Sequence, residues 1–511
     1  MTLLCVPIFV ESPEQVKRDA ALAAEAGADI VELRLDTLSE PIVLPNLSIP
    51  YIVTCRPTWE GGESDLSDGQ RLDLLGAMSE SAAYIDVELE TYSRRPNVAD
   101  LVHHPNRLIV SAHDFRGRPR LDTIIVSMAE RLANVHKVAW MARSIRDNVE
   151  ALEIIEQRMR PTIALCMGEA GLISRVLAKK FGAFLTFASL RDESATAPGQ
   201  VTIHDMKRLY RWDALNAKTK VYGVVGSPIM HSMSPAIHNA AFETAGHDGV
   251  YLPLLVNPGY ESFKAFMESF LAFVPLDLSG LSITIPHKEN ALRYLKEKSA
   301  EVEPLAEQIG AVNTIVIDRT DGRLRLRGLN TDYAAILDMI TSTLKIQRTD
   351  LADKRVAVIG AGGTGRTAVA ALAAHGVTVV VYNRTKERAD ELAKEFDGTT
   401  GKVVSARIEK LCDSCCEIFI NTTSLGMHPN VDASAFGERI PKLSPQTLVF
   451  DTVYNPMETQ LLKQAKAAGA IAVGGVEMFV RQAARQFEVW TNQPAPTDVM
   501  RRVIEDRLGN R

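Results

Sequence analysis

Three side chains, Lys137, His113 and Glu88, set the first chemistry to look for. In "HKVAWMAR" strand alternation puts Lys137, Ala139 and Met141 on one face, and the small Ala139 suits a crowded interior, so the lysine is expected inside. Burial disfavours an ammonium and is expected to lower the pKa of the amine. A neutral amine adds to a ketone to give a Schiff base, whose protonated nitrogen withdraws electrons from the adjacent carbon. His113, in "SAHDF", would take the proton from that carbon. Glu88, in "DVEL" one strand earlier, would hold the imidazole in the needed tautomer. The competing reading is a lysine that snorkels to a rim, because Lys137 lies near the start of its strand.

A second set of residues suits hydride chemistry. In "SPIMHSMSPAIHNAAF" the hydroxyls of Ser232 and Ser234 precede a helix start at Pro235, a place where a carboxylate gains donors and a favourable helix end. Simple N-capping by Ser234 is compatible with the same spacing. Lys288 in "TIPHK", Asn313 in "GAVNT" and Asp332 in "GLNTD" follow. Reducing a ketone generates an alkoxide that needs a proton and a nearby positive charge, which a lysine and an aspartate beside a nicotinamide would supply. Taken singly, each is more at home in a surface loop than in a catalytic site.

The nucleotide signal is "VIGAGGTGRTAVA", from Val358, where Gly360, Gly362 and Gly365 fit GxGxxG and Gly363 is extra. The preceding "RVAVIG", the following "TAVAALAAHG" and then "VTVVVYNRT" complete a strand-helix-strand unit. NAD-preferring sites place an acidic residue at the end of the second strand. Here that end carries Asn383, Arg384, Thr385 and Arg388, with no carboxylate until Glu387, which favours the extra phosphate of NADP.

These residues need elements to position them, and 511 residues suggest two to four domains. Before residue 212 eight apolar, β-branched runs alternate with amphipathic stretches: "TLLCVPIFV", "ADIVELRLD", "YIVTCRP", "AYIDVELE", "RLIVSAHDF", "HKVAWMAR", "PTIALCMG" and "FLTFASL". That predicts an α/β fold opening with a (β/α)8 TIM barrel, whose functional groups gather at the carboxyl ends of the strands. Those ends carry Glu32, Arg34, Asp36, Arg56, Glu88, His113 and Asp114. "RLYRWDALNAKTK" reads as a polar linker. Further strands, "VYGVVG", "YLPLLV", "GLSITIP", "AVNTIVI" and "RLRLRGLN", predict an α/β substrate-binding domain before the Rossmann domain. The expected boundaries are 1–217 for the barrel, 218–327 for the substrate domain, 328–480 for the Rossmann domain and 481–511 for helices packing back on the substrate domain.

Composition narrows the function classes. With 46% hydrophobic and 23% charged residues and a net charge of −6, nothing favours a nucleic acid or an anionic membrane as partner. No run is apolar enough to span a bilayer, and "MTLLCVPIFV" lacks a secretory leader, so a cytoplasmic setting is expected. Cys5, Cys55 and Cys166 sit in strand-like runs as reduced thiols would. "CDSCC", at Cys412, Cys415 and Cys416, lacks a second ligand pair, and no metal is expected.

Two resemblances give these residues roles. "VELRLD", "TCRPTWEGGE", "DVEL", "SAHDF", "HKVA", "GLISR" and "TAPGQ", over roughly residues 1–210, resemble type I 3-dehydroquinate dehydratases. That implies Lys137 as Schiff-base lysine, His113 as general acid/base and Glu88 as its partner. Glu32, Arg34, Arg56, Arg175, Thr196 and Gln200 would hold substrate, Arg175 through its carboxylate. Thr196 stands where the family more often has serine. "YGVVGSPIMHSMSPAIHNAAF", "TIPHK", "GAVNT", "GLNTD", "GAGGTGR", "YNRT", "NTTSLGM", "DTVYNP" and "GGVEMFVRQ", over about 220–505, resemble shikimate dehydrogenases. The implied catalytic pair is Lys288 and Asp332, with Ser232, Ser234, Thr284, Asn313, Tyr454 and Gln482 lining the substrate pocket. Ala361 and Thr364 of the glycine loop, with Thr452 and Gly475 in the last two motifs, join the cofactor set. Ser282 replaces an asparagine common in bacterial members.

Together the halves resemble bifunctional enzymes that dehydrate 3-dehydroquinate and reduce the product, 3-dehydroshikimate, to shikimate with NADPH. Two alternatives are a quinate-oxidising relative and a catalytically lapsed regulator. The first would be expected to carry smaller groups at the Ser234 and Thr284 positions, and the second to have lost its reactive residues.

Overall fold

The eight apolar runs become eight strands: β1 (Leu3–Phe9), β2 (Ile30–Arg34), β3 (Tyr51–Thr54), β4 (Tyr84–Glu88), β5 (Leu108–Asp114), β6 (Val135–Met141), β7 (Thr162–Met167) and β8 (Leu185–Phe187). In this computed structural model residues 1–95, 98, 107–191, 196–398 and 400–509 are described. The strands lie in the order β7-β6-β5-β4-β3-β2-β1-β8, parallel throughout. The Phe184 N–H donates to the Thr162 carbonyl at 2.9 Å, tying the start of β8 to that of β7, so the sheet is a near-closed barrel. Cys5, Ile30, Ile52, Ile109, Ala139, Leu165 and Phe187 fill its interior. The sequence predicts a helix after every strand. Residues 35–50, between β2 and β3, form none.

The junction expected to be a polar linker is tied down. Trp212 and Leu215 are buried, and Lys180 Nζ donates to the carbonyls of Ala217 at 3.0 Å and Thr219 at 2.9 Å. The chain divides into two compact units. One is Met1–Val221 with Asp248–Asn257 and Ala265–Leu278; the other is Tyr222–His247, Pro258–Lys264 and Ser279–Arg511. The first holds more than the barrel: Arg211 donates to the Gly249 carbonyl at 2.7 Å, and Phe181 stacks on Phe273 at 5.5 Å.

In the second unit the strand Thr314–Asp318 pairs antiparallel with Leu278–Ile283 and with Arg325–Leu329. Six parallel strands form the nucleotide-binding sheet, Arg355–Ile359, Thr378–Asn383, Val403–Arg407, Ile418–Asn421, Leu448–Asp451 and Ile471–Val473, in the spatial order 3-2-1-4-5-6. That is the doubly wound order of dinucleotide-binding folds. The sequence reading does not include Val403–Arg407, whose residues are mostly half-exposed and lack an apolar run. The helix Val476–Thr491 is continuous across the expected boundary at 480. Its far end meets the substrate domain, where Trp490 Nε1 donates to the Ile315 carbonyl at 3.1 Å.

Candidate active sites

One cavity opens in the barrel, lined by Glu32, Arg34, Arg56, Glu60, His113, Lys137, Arg175, Thr196 and Gln200 among others. Lys137 is inside, not at the rim, and is buried. Its Nζ lies 2.8 Å from Asp86 Oδ2 and 3.0 Å from Glu32 Oε1, and 4.6 Å from the centroid of the Phe187 ring. Burial pulls the pKa of the amine down, but the carboxylates of Asp86 and Glu32 outweigh it and the net direction is up. This reverses the expectation from burial alone: the free site holds an ammonium.

His113 is only partly exposed, and its pKa is held well below the usual imidazole value by desolvation and then by the Arg56 and Lys137 charges. The ring is therefore neutral and ready to accept a proton. Its partner is Glu60, not Glu88: Glu60 Oε2 is 2.9 Å from His113 Nδ1. Burial, with help from Glu88 and Asp86, pushes the Glu60 carboxyl well up. Glu88 instead accepts Arg56 at 2.8 Å, Arg71 at 2.7 Å and Thr91 at 3.1 Å, and it does not line the cavity.

Glu60 reaches the imidazole because "WEGGE" folds back. Gly61 has φ +77°, and a Cβ there would fall 2.1 Å from the Phe115 ring; a Cβ on Gly62 would fall 2.1 Å from the Arg56 carbonyl oxygen.

Arg56 bridges the site, with Nη1 on Glu60 at 3.3 Å, Glu88 and Ser111, and Nη2 2.9 Å from Asp86. Arg34 pairs with Asp36. Arg175 is buried, its Nε and Nη2 have no hydrogen-bond partner, and burial pulls its pKa down to about 10. A buried guanidinium with two unpartnered nitrogens has the geometry to take a carboxylate. Thr196 donates its N–H to Gln200 Oε1 at 2.9 Å, and a Cβ on neighbouring Gly199 would fall 2.2 Å from the Gly168 carbonyl oxygen, so this loop closes tightly over the strand ends.

The second unit has its own cavity, lined by Ser232, Ser234, Ser282, Thr284, Lys288, Asn313, Asp332, Thr364, Thr452, Tyr454, Gly475, Gln482 and Gln486 among others. Lys288 Nζ lies 2.6 Å from Asp332 Oδ2 and 3.5 Å from Thr364 Oγ1. Each of the pair begins a helix, Lys288–Glu297 and Asp332–Leu344. Met233, not Ser234, holds the N-cap position of the helix Ser234–Thr244, and no side chain caps it. Ser232 Oγ accepts the Ser234 N–H at 3.2 Å. Asn313 Oδ1 accepts the Thr331 N–H at 2.9 Å, and Tyr454 stacks on Phe479 at 4.4 Å.

Gln486 is a polar lining residue that the sequence reading misses. Its Oε1 accepts Ser282 Oγ at 2.7 Å and its Nε2 donates to Thr314 Oγ1 at 2.9 Å, which fixes the wall where Ser282 replaces an asparagine. It follows Gln482 by four residues and so shares its helix face.

The glycine loop fits a dinucleotide. Gly360 has φ +113°, a Cβ on Gly365 would fall 2.2 Å from the Gly360 carbonyl oxygen, and open space lies beside Gly362. The helix Gly363–Ala374 starts there, with Ala361 and Thr364 beside its N-terminus. At the end of the second strand Asn383 Nδ2 donates to the Thr385 carbonyl at 2.8 Å, and Arg384, Thr385 and Arg388 are exposed. A Cβ on Gly475 would fall 2.4 Å from the Thr452 carbonyl oxygen, so these two cavity-lining residues are in close contact.

Comparisons with known proteins match successive stretches of the chain. Family models match for type I 3-dehydroquinase over residues 4–217 and the shikimate dehydrogenase substrate binding domain over 224–315. Others match for shikimate/quinate 5-dehydrogenase over 342–456 and the shikimate 5'-dehydrogenase C-terminal domain over 475–505. A bifunctional 3-dehydroquinate dehydratase/shikimate dehydrogenase of Arabidopsis thaliana, described as chloroplastic, is 39% identical over 520 residues, covering 98% of this chain and 83% of the relative. The shikimate dehydrogenase (NADP(+)) of Methanosarcina barkeri is 41% identical, covering 57% of this chain and 99% of the relative. A solved shikimate dehydrogenase in complex with NADP+ aligns with a TM-score of 0.50 at 35% identity, over 57% of this chain and 97% of that one. Among the described residues no helix is long and apolar enough to cross a membrane.

Proposed function

The chain belongs to the family of bifunctional 3-dehydroquinate dehydratase/shikimate dehydrogenases, and on that premise we propose which of its residues carry the two reactions. It is a lyase and an oxidoreductase in one polypeptide. In the barrel Lys137 adds to the ketone of 3-dehydroquinate and forms an imine with loss of water. His113, oriented by Glu60, removes the neighbouring ring proton and returns a proton as the ring hydroxyl leaves. Arg175 takes the substrate carboxylate, while Glu32, Arg34, Arg56, Thr196 and Gln200 fix the ring. Hydrolysis of the imine releases 3-dehydroshikimate.

In the second cavity the substrate carboxylate meets the Ser232 and Ser234 hydroxyls, and Thr284, Asn313, Tyr454 and Gln482 hold the ring. NADPH, when bound on the glycine loop, supplies the hydride. Lys288 stabilises and protonates the alkoxide, and Asp332 orients the ammonium. The observation that carries this reading is that each reactive lysine lies in its own cavity on a carboxylate partner, at 2.8 Å in the barrel and 2.6 Å in the second unit. The Ser234 and Thr284 hydroxyls favour shikimate over quinate, and a lapsed regulator would have lost Lys137, His113, Lys288 or Asp332. The cytoplasm is the proposed setting, supported by Cys5, Cys55 and Cys166 standing as free, buried thiols.

The proposed domains are 1–217, 218–327, 328–480 and 481–511, and cutting the chain after Ala217 tests both function and partition. The first fragment should turn 3-dehydroquinate into an enone-absorbing product, and the second should consume that product with NADPH. The first fragment should be less stable than the intact chain, because it loses the Arg211–Gly249 bond and the Phe181–Phe273 stacking. Two inactive fragments from an active intact protein would overturn the partition.

Arg384 is assigned to the 2′-phosphate of NADP, supported by its exposed position at the end of the second Rossmann strand, where no carboxylate stands. Arg384→Ala should weaken NADPH roughly tenfold to a hundredfold, the scale of a charge-assisted hydrogen bond, and leave NADH nearly unchanged. Equal losses for both cofactors in binding titrations would show that the residue supports the loop instead.

A further inference from the structure

Glu88 and Arg71 lie off the barrel cavity, yet both are buried and joined to it by charge. Arg71, on the helix Asp68–Met78, donates through Nη1 to Glu88 Oε2 and to the Cys55 carbonyl, both at 2.7 Å. Its Nη2 donates to Asp68 at 2.9 Å and Thr91 at 2.7 Å. The other oxygen of Glu88 takes Arg56 Nη1 at 2.8 Å. That same Nη1 reaches Glu60, the partner of His113, and Nη2 reaches Asp86, the partner of Lys137.

We propose that Arg71 and Glu88 are positioning residues of the dehydratase, which fix Arg56 from outside the cavity and so hold Glu60 on His113 and Asp86 on Lys137. The proposal rests on the reading that His113 and Lys137 carry that reaction. A buried ion pair adds little stability over apolar packing, so a carboxylate sharing two guanidiniums calls for another account. Arg56 supplies it, because its Nη1 is divided among Glu60, Glu88 and Ser111 and its place depends on their balance. Without the Glu88 charge, Arg56 tips toward Glu60 and competes with His113 for the same Oε2. Without the Arg71 charge, Glu88 draws on Arg56 alone and pulls it away from Glu60 and Asp86.

The charged groups facing His113 are Glu60 from the turn after β3, Arg56 at the end of β3, Lys137 on β6, Asp86 on β4 and Arg34 on β2. Removing a negative charge from this cluster favours the neutral imidazole, and removing a positive charge favours its protonated form.

The test measures kcat, KM and the pH dependence of kcat/KM for dehydration in full-length Glu88→Gln, Arg71→Met and Arg71→Lys proteins. Thermal unfolding of the same preparations is the folding control, read on the barrel's transition. In Glu88→Gln, kcat should fall roughly tenfold to a hundredfold, with a smaller rise in KM, and the acidic limb should move to lower pH. Arg71→Met should move that limb to higher pH, and Arg71→Lys should keep it near the parent position with part of kcat restored. Limbs that stay put in Glu88→Gln and Arg71→Met, limbs that move the same way, or a parental kcat in Glu88→Gln would overturn the proposal. Should Arg71→Met misfold, Glu88→Gln and Arg71→Lys decide, and a limb common to the two overturns it. Failure of the underlying reading would look different: the parent protein itself would form no covalent adduct at Lys137.

Discussion

Borohydride added while the enzyme turns over 3-dehydroquinate should leave the mass of a reduced adduct on the peptide that contains Lys137. Lys137→Ala should abolish the adduct and slow dehydration by on the order of 10⁴-fold or more, the scale seen when a covalent nucleophile is removed. The size of the effect follows from what the amine does. An imine accepts the charge that develops when the ring proton leaves, and without it a ketone oxygen must hold that charge.

The free site holds Nζ as an ammonium between two carboxylates, so a proton must leave before attack. Lysine and histidine come from neighbouring strands, with Ser111 opposite Lys137 and His113 opposite Ala139 in the β5–β6 register. Reduction of 3-dehydroshikimate by the Lys137→Ala protein should continue at the parent rate. An unmodified Lys137 peptide, or a variant that dehydrates as the parent does, would remove the Schiff base from the mechanism.

The barrel strands are legible because alternating apolar runs leave few other options, and the same alternation turns Lys137 inward. The charge state of that lysine is not legible, because it depends on Glu32 from β2 and Asp86 from β4, strands separated from it by 105 and 51 positions. Asp86 does leave a signal, since it stands two residues before Glu88 and so shares its face of β4. Which carboxylate meets the imidazole is hidden for another reason. Glu60 sits in a turn without periodicity, and only the folding back of Gly61 and Gly62 over Arg56 and Phe115 brings it to His113. The Rossmann half is easier to read, because glycine spacing reports backbone geometry directly: Gly365 lies against the Gly360 carbonyl, where a side chain has no room. Arg175 was legible as a motif residue, but the case for a carboxylate there comes from its buried, unpartnered nitrogens.

In the second unit Lys288→Met should lower kcat for 3-dehydroshikimate reduction by roughly 10²- to 10⁴-fold, the usual contribution of a positioned acid or base, with NADPH binding retained. The lysine stands at the first position of its helix, where the positive end of the helix works against an ammonium, and Asp332 at 2.6 Å supplies the compensating charge. Asp332 begins a helix of its own, whose end favours its negative charge. The pair is thus held by opposite responses to the same kind of field, and Thr364 at 3.5 Å from Nζ ties it to the glycine loop that would carry the cofactor. Asp332→Asn keeps the shape and removes the charge. It should therefore depress kcat more than it raises KM, because the amide cannot balance the ammonium as the alkoxide forms. Both variants should still dehydrate 3-dehydroquinate, so that with NADPH present the enone product accumulates where the parent would consume it. A Lys288→Met protein that clears the enone at the parent rate would show that the proton comes from elsewhere.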